Sequence, residues 1–130
     1  MARQSWAFLI DSVPFTPAVI AGETSLGGSE SACLGLARAL QARGHDVHVF
    51  ATKLAPDAPS TDAAGVVWHA MDDFAAMNVF IEWDVAVCLR WWAPFAGAIR
   101  ARLRILWNQD LLLPGSTQAS VMSCASYMLE

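Results

Sequence analysis

Residues 22–46, GETSLGGSESACLGLARALQARGHD, place a glycine pair at the mouth of an amphipathic helix. A hydrophobic run, WAFLIDS at 6–12, precedes them, and a β-branched run, DVHVFAT at 46–52, follows. Cys33, Leu36, Ala37 and Leu40 recur at helical spacing, Arg38, Gln41 and Arg43 take the other face, and Gly44 supplies a left-handed stop. Ser29 is placed to cap the helix, and Glu30 falls in its first turn, where a carboxylate suits the dipole. The short connection after Gly44 makes the second strand parallel to the first through a right-handed crossover. A helix start also leaves backbone N–H groups unsatisfied, and the glycines Gly27 and Gly28 let an anion such as a phosphate come close to them.

Composition bounds what this βαβ unit belongs to. A chain of 130 residues fits one domain spanning 1–130, and 55% apolar against 15% charged residues suits elements buried on both faces. The apolar stretch WWAPFAGAI, residues 91–99, is far short of the roughly 20 residues of a membrane span. Arg3 is followed only by a brief apolar run before Asp11, too short for a secretory signal, so a cytoplasmic location is expected. Net charge is −4 with no basic tract, which argues against nucleic acid as a partner. Cys33, Cys88 and Cys124 are widely spaced among small or apolar neighbours, the pattern of buried thiols, and no metal site is expected.

Beyond residue 52 apolar runs and helical patterns continue to alternate. KLAPDAPSTDAAG, residues 53–65, reads as a surface loop, VVWHAM as a third strand, and residues 72–82 as a weaker helix. DVAVCLR (84–90) is a fourth strand, PFAGAIRAR (94–102) a short helix opened by Pro94, and LRILWNQD (103–110) a fifth strand. In the tail, VMSC (121–124) suggests a sixth strand and the start of another helix. The expected fold class is α/β, a doubly wound parallel sheet with helices on both faces.

Ligands in such sheets bind beyond the carboxyl ends of the strands. That rule gathers loop 22–29, Arg90 to Trp92, and Asn108 to Asp110 at one edge. Arg90 suits phosphate or carboxylate recognition, or else a salt bridge at a strand end. Trp91 and Trp92 point to opposite faces of an extended segment, so one can stack on a sugar while the other packs in the core. Asn108, Gln109 and Asp110 offer polar groups to an acceptor, with Asp110 either a candidate proton acceptor or a turn cap. His45 and His48 read as structural, and His69 as an isolated histidine with no visible partner.

The stretch LGGSESACLGLARALQARGHDVHVFAT, residues 26–52, resembles the start of the N-terminal domain of family-four retaining glycosyltransferases of GT-B fold. The likeness lies in the glycine pair, the acidic residue, the helix stripe and the Arg-Gly-His stop before a Val-rich strand. RILWNQD resembles the strand that in related sequences carries a His-Asp pair, with Gln109 standing where that His would be. The resemblance implies a Rossmann-like N-terminal half of a GT-B architecture, holding an acceptor glycan or small molecule and presenting its Gly loop to a nucleotide-sugar donor. No cofactor is implied, since the nucleotide-sugar is the substrate. Most of the nucleotide site would belong to a C-terminal domain absent from these residues. The chain would then be a fragment that is inactive alone and prone to self-association, with room for peripheral membrane contact in the whole protein.

A non-catalytic Rossmann-like module binding a sugar or phosphate is the alternative. An NAD-type oxidoreductase is disfavoured, because four residues separate Gly22 from Gly27 and DVHVFAT ends without an acidic residue for a ribose.

Overall fold

A computed structural model describes residues 3–11, 14–22, 28–89, 99–107 and 127–129. Its central strand is β1 (Ser5–Ile10), which pairs in parallel with β2 (Asp46–Ala51) on one side and β4 (Trp83–Leu89) on the other. Ala7, Phe8, Leu9 and Ile10 are all buried, so consecutive side chains feed opposite faces of the sheet and both faces are covered. β3 (Val67–Ala70) extends the sheet beyond β2, and β5 (Ala101–Trp107) and β6 (Tyr127–Leu129) extend it beyond β4. The order is β3-β2-β1-β4-β5-β6, with every neighbouring pair parallel. This is a Rossmann-like α/β sheet, as the alternation of patterns leads one to expect.

The two faces carry separate cores. On one, Phe8, Ile10, Val47, Val49, Val85 and Val87 meet α1 (Pro17–Ile20) and α2 (Gly28–Ala42) through Ile20, Cys33, Leu34 and Ala37. On the other, Ala7, Leu9, Phe50, Ala86, Cys88 and Leu106 meet Phe74 and Met77 of α3 (Asp72–Phe80). Thr16 caps α1 by accepting the Val19 N–H at 3.2 Å, and Pro17 follows at the position where its missing N–H costs nothing.

α2 begins at Gly28, so Ser29 lies inside its first turn and is not the cap that the sequence suggested. Its buried stripe is also turned from the expected one: Leu34 is 3% exposed, whereas Leu36 is 36% exposed. Cys33, Leu34 and Ala37 fall on one side of a 3.6-residue helix, and Leu36 lies on its flank. The stop is as expected. Gly44 has φ of 92°, its N–H donates to the Gln41 carbonyl, and the His45 N–H donates to the Leu40 carbonyl, which closes the helix with two reverse hydrogen bonds. Gln41 then accepts the Val47 N–H through its side chain and so ties the helix end to β2.

The β2 to β3 crossover is an irregular segment, as KLAPDAPSTDAAG suggested, yet it also contributes to the core through Leu54 and Ala58. Asp62 organises it. Its Oδ1 accepts the N–H groups of Ala64 (2.9 Å) and Val66 (3.1 Å), and its Oδ2 accepts the Trp68 Nε1–H at 3.0 Å.

β5 starts at Ala101, so the last residues of the helix expected over 94–102 are strand. Arg102 and Arg104 alternate there with Ala101, Leu103 and Ile105, a period of two that favours extended chain. Residues 99–100 before β5 are irregular, and 94–98 lie outside the described residues. The final strand is Tyr127–Leu129 where a helix start was expected, and VMSC lies outside the described residues.

Candidate functional site

In this strand order the crossovers change direction between β1 and β4, the switch point beyond whose carboxyl ends ligands of such sheets bind. Ile10 and Leu89 are register partners at that edge, and Leu89 pairs in turn with Trp107. α2 follows β1, so its first turn starts at the same edge and brings its unsatisfied N–H groups and partial positive charge there.

Gly28, Ser29 and Glu30 form the start of that turn. Glu30 is 5% exposed. A buried carboxylate is costly unless something compensates it, and the helix N-terminus supplies part of that compensation. Burial, with the nearby Glu30 charge second, pushes the Cys33 thiol up to about 12. Cys33 is therefore a neutral packing residue and no nucleophile. Burial likewise raises the Cys88 thiol.

Gly27, Arg90, Trp91, Trp92, Asn108, Gln109 and Asp110 lie outside the described residues. The strands that precede two of these groups, β4 and β5, end at the paired positions Leu89 and Trp107. One further pair at the carboxyl edge escaped the sequence reading. Asp11, directly after β1, accepts the Thr52 hydroxyl at 2.7 Å, and Thr52 directly follows β2. The available signal was a polar residue immediately after each of two buried runs.

Elsewhere, a cleft of about 270 Å³ opens between α1, α2 and the β2 to β3 crossover, lined by Pro17, Ile20, Arg38, Pro59 and Asp62 among others. Its one cation is already engaged: the Arg38 guanidinium donates to the Ile20 carbonyl and lies 3.9 Å from Asp62 Oδ2. That cleft therefore offers little charge to an anionic ligand.

His69 is not isolated, contrary to the sequence reading. The β2–β3 register sets His48 against Val67 and Phe50 against His69, and His69 Nε2 comes 2.9 Å from His48 Nδ1. Nothing in the spacing of the two histidines along the chain announces this.

Among the described residues no group of three or more His, Cys, Asp or Glu side chains is placed to hold a metal ion, and no helix is long and apolar enough to cross a membrane. No family model, curated protein or solved structure matches the chain.

Proposed function

We propose that this chain is a Rossmann-like binding domain for a phosphorylated or nucleotide-linked sugar, with the anion held at the N-terminus of α2. The observation that carries this reading is the coincidence of that N-terminus with the β1/β4 switch point. Gly27 and Gly28 let the phosphate approach the backbone, and the first-turn N–H groups supply the donors. Glu30 orients the loop or accepts a sugar hydroxyl. Arg90, Trp91, Trp92, Asn108 and Gln109 are proposed as the acceptor side of the same cleft. Binding needs no catalytic residue in this chain.

A narrower reading follows from the likeness of residues 26–52 to family-four retaining glycosyltransferases. In it the domain is the acceptor half of a cytoplasmic GT-B enzyme, and a second domain supplies most of the nucleotide site. Asp110 would then assist proton removal from the acceptor. The retaining reaction does not demand such a base, since the departing phosphate can take that proton.

The test is calorimetric titration of the chain with inorganic phosphate, nucleoside diphosphates and nucleotide-sugars, beside Gly28→Val. Saturable binding of a phosphate-bearing ligand, weakened about tenfold or more by the valine, is expected, a tenfold loss being about 1.4 kcal/mol. Equal binding by wild type and G28V would refute the helix-start site. Absence of saturable binding by every phosphate-bearing ligand would refute the function. Transfer activity, assayed with and without the downstream coding sequence, separates the narrower reading from simple binding.

A further inference from the structure

The face of the sheet opposite α2 carries a chain of three polar side chains that the binding function does not use. Asp46 Oδ1 lies 3.3 Å from His48 Nε2, and His48 Nδ1 lies 2.9 Å from His69 Nε2. The two imidazole centroids are 5.2 Å apart with planes only 13° from parallel. That separation is little more than the N···N distance plus two ring radii, so the rings meet edge to edge and their nitrogens point at one another. A head-on arrangement of this kind shares a proton and leaves no room for a metal ion between the nitrogens. With Asp46 accepting from His48 Nε2–H, His48 Nδ1 holds a lone pair and His69 Nε2–H donates to it.

We propose that this Asp46–His48–His69 chain is an acid-sensitive latch, which holds the β3–α3 edge on the sheet while one proton lies between the imidazoles and lets it go when both rings are protonated. The neutral pair and the singly charged pair each keep one N–H between the two nitrogens. Only the doubly protonated pair sets N–H against N–H, and it places two cations side by side where the His48 side chain is 15% exposed.

The surroundings favour that response. On β2, Asp46 neutralises one positive charge, and the exposed Arg3, 3.6 Å away, competes for it. From α3, Asp73 favours protonated His69 but is the weakest of the three influences, after burial and His48, both of which lower its pKa. Asp72 is the other carboxylate in the first turn of α3. The remaining neighbours are uncharged: Phe50 stacks on His69 with centroids at 4.6 Å, Trp83 of β4 meets His48 edge-on, and Ala7 and Leu9 of β1 line the same core. β3 is the sheet's edge strand, paired with β2 on one side and bridged on the other only to Ser60 and Thr61 of the crossover, and α3 has no fully buried residue. On its other face β3 is anchored by Trp68, which is buried against Phe15 and donates to Asp62, so on the latch's own face the edge rests on the latch and the partly buried Met71, Phe74, Met77 and Ile81.

The sign is fixed by linkage. His69 has a folded pKa below its ordinary value of 6.5, so the folded edge binds fewer protons than the released one. Its stability is full above pH 6.5 and falls as pH drops from there through the lowered folded value. Each unit of that lowering is a factor of about ten in opening.

The test is amide hydrogen exchange of residues 67–80 in the 130-residue chain at pH 7.5 and pH 5.0, corrected for intrinsic rates, with β1 and β4 as internal controls. Protection of 67–80 is expected to fall about tenfold at pH 5.0 while β1 and β4 change little, and His69→Phe, which keeps a ring on Phe50, is expected to abolish that difference. An unchanged wild type, or an H69F variant with the same pH response, overturns the latch. Should H69F not fold, imidazole ¹⁵N shifts of the wild type decide. A single N–H shared between His48 and His69 at pH 7.5, lost on acidification together with β3 protection, supports the latch, and two rings that titrate independently overturn it.

Discussion

Replacing Asp62 by alanine tests whether one carboxylate holds the β2 to β3 crossover in place of a helix. The Asp62 side chain is 5% exposed and accepts three hydrogen bonds, from Ala64 N–H, Val66 N–H and Trp68 Nε1–H. Each such bond contributes roughly 1 kcal/mol net, and more when the acceptor is charged, but the exposed Ala64 N–H recovers water once freed. The Arg38 guanidinium at 3.9 Å adds little, since it keeps its bond to the Ile20 carbonyl. The expected cost of Asp62→Ala is therefore about 2–4 kcal/mol, a large share of the roughly 5–15 kcal/mol that holds an ordinary domain. Asp62→Asn should recover about half, because its carbonyl can serve Ala64 and Val66 while its NH₂ faces the donors of Trp68 and Arg38. Urea unfolding followed by far-ultraviolet circular dichroism measures both, with an unchanged denaturant slope as the check that the two unfolded ensembles match. A loss below about 0.5 kcal/mol for D62A would refute the reasoning, that being the usual range for surface substitutions. Equal losses for D62A and D62N would refute the assignment of separate roles to the two oxygens.

Two further expectations rest on burial. Leu34→Ala should destabilise by about 2–5 kcal/mol and Leu36→Ala by under about 1 kcal/mol, because only the former opens a cavity; comparable losses in urea unfolding would mean that α2 presents a different face. With Cys124 replaced by serine, Cys33 and Cys88 should react with a disulfide reagent at pH 8 only after unfolding, since burial raises both thiols. Rapid labelling of the folded chain would contradict their buried placement.

The βαβ unit at the centre of the fold was legible because its signals are local. Continuous apolar runs, a 3.6-residue stripe and Gly44 each report on their immediate neighbours along the chain. The stripe's rotation was not legible, because Leu34 and Leu36 are equally apolar and only the sheet beneath α2 selects between them. At β5 the alternation of Arg102 and Arg104 with Ala101 and Leu103 was the stronger signal, masked by the helix-like start at Pro94. The common edge at which β1, β4 and β5 end follows from the strand-end rule, whereas the burial of Glu30 depends on packing that no local pattern reports. The His48–His69 contact was least accessible of all. It exists only because β2 and β3 pair in one register, and a shift of a single residue would turn His69 to the other face.

The irregular crossover has an evolutionary consequence. A helix at that place would fix the connection in whole turns, whereas this segment touches the core at Leu54 and Ala58 and leaves Pro56 and Asp57 in solvent. Extra residues between those two would extend outward, at an entropic cost that grows only slowly with length. The domain thus carries a site at which its sequence can lengthen, or accept a grafted reporter, while the sheet and the start of α2 keep their places.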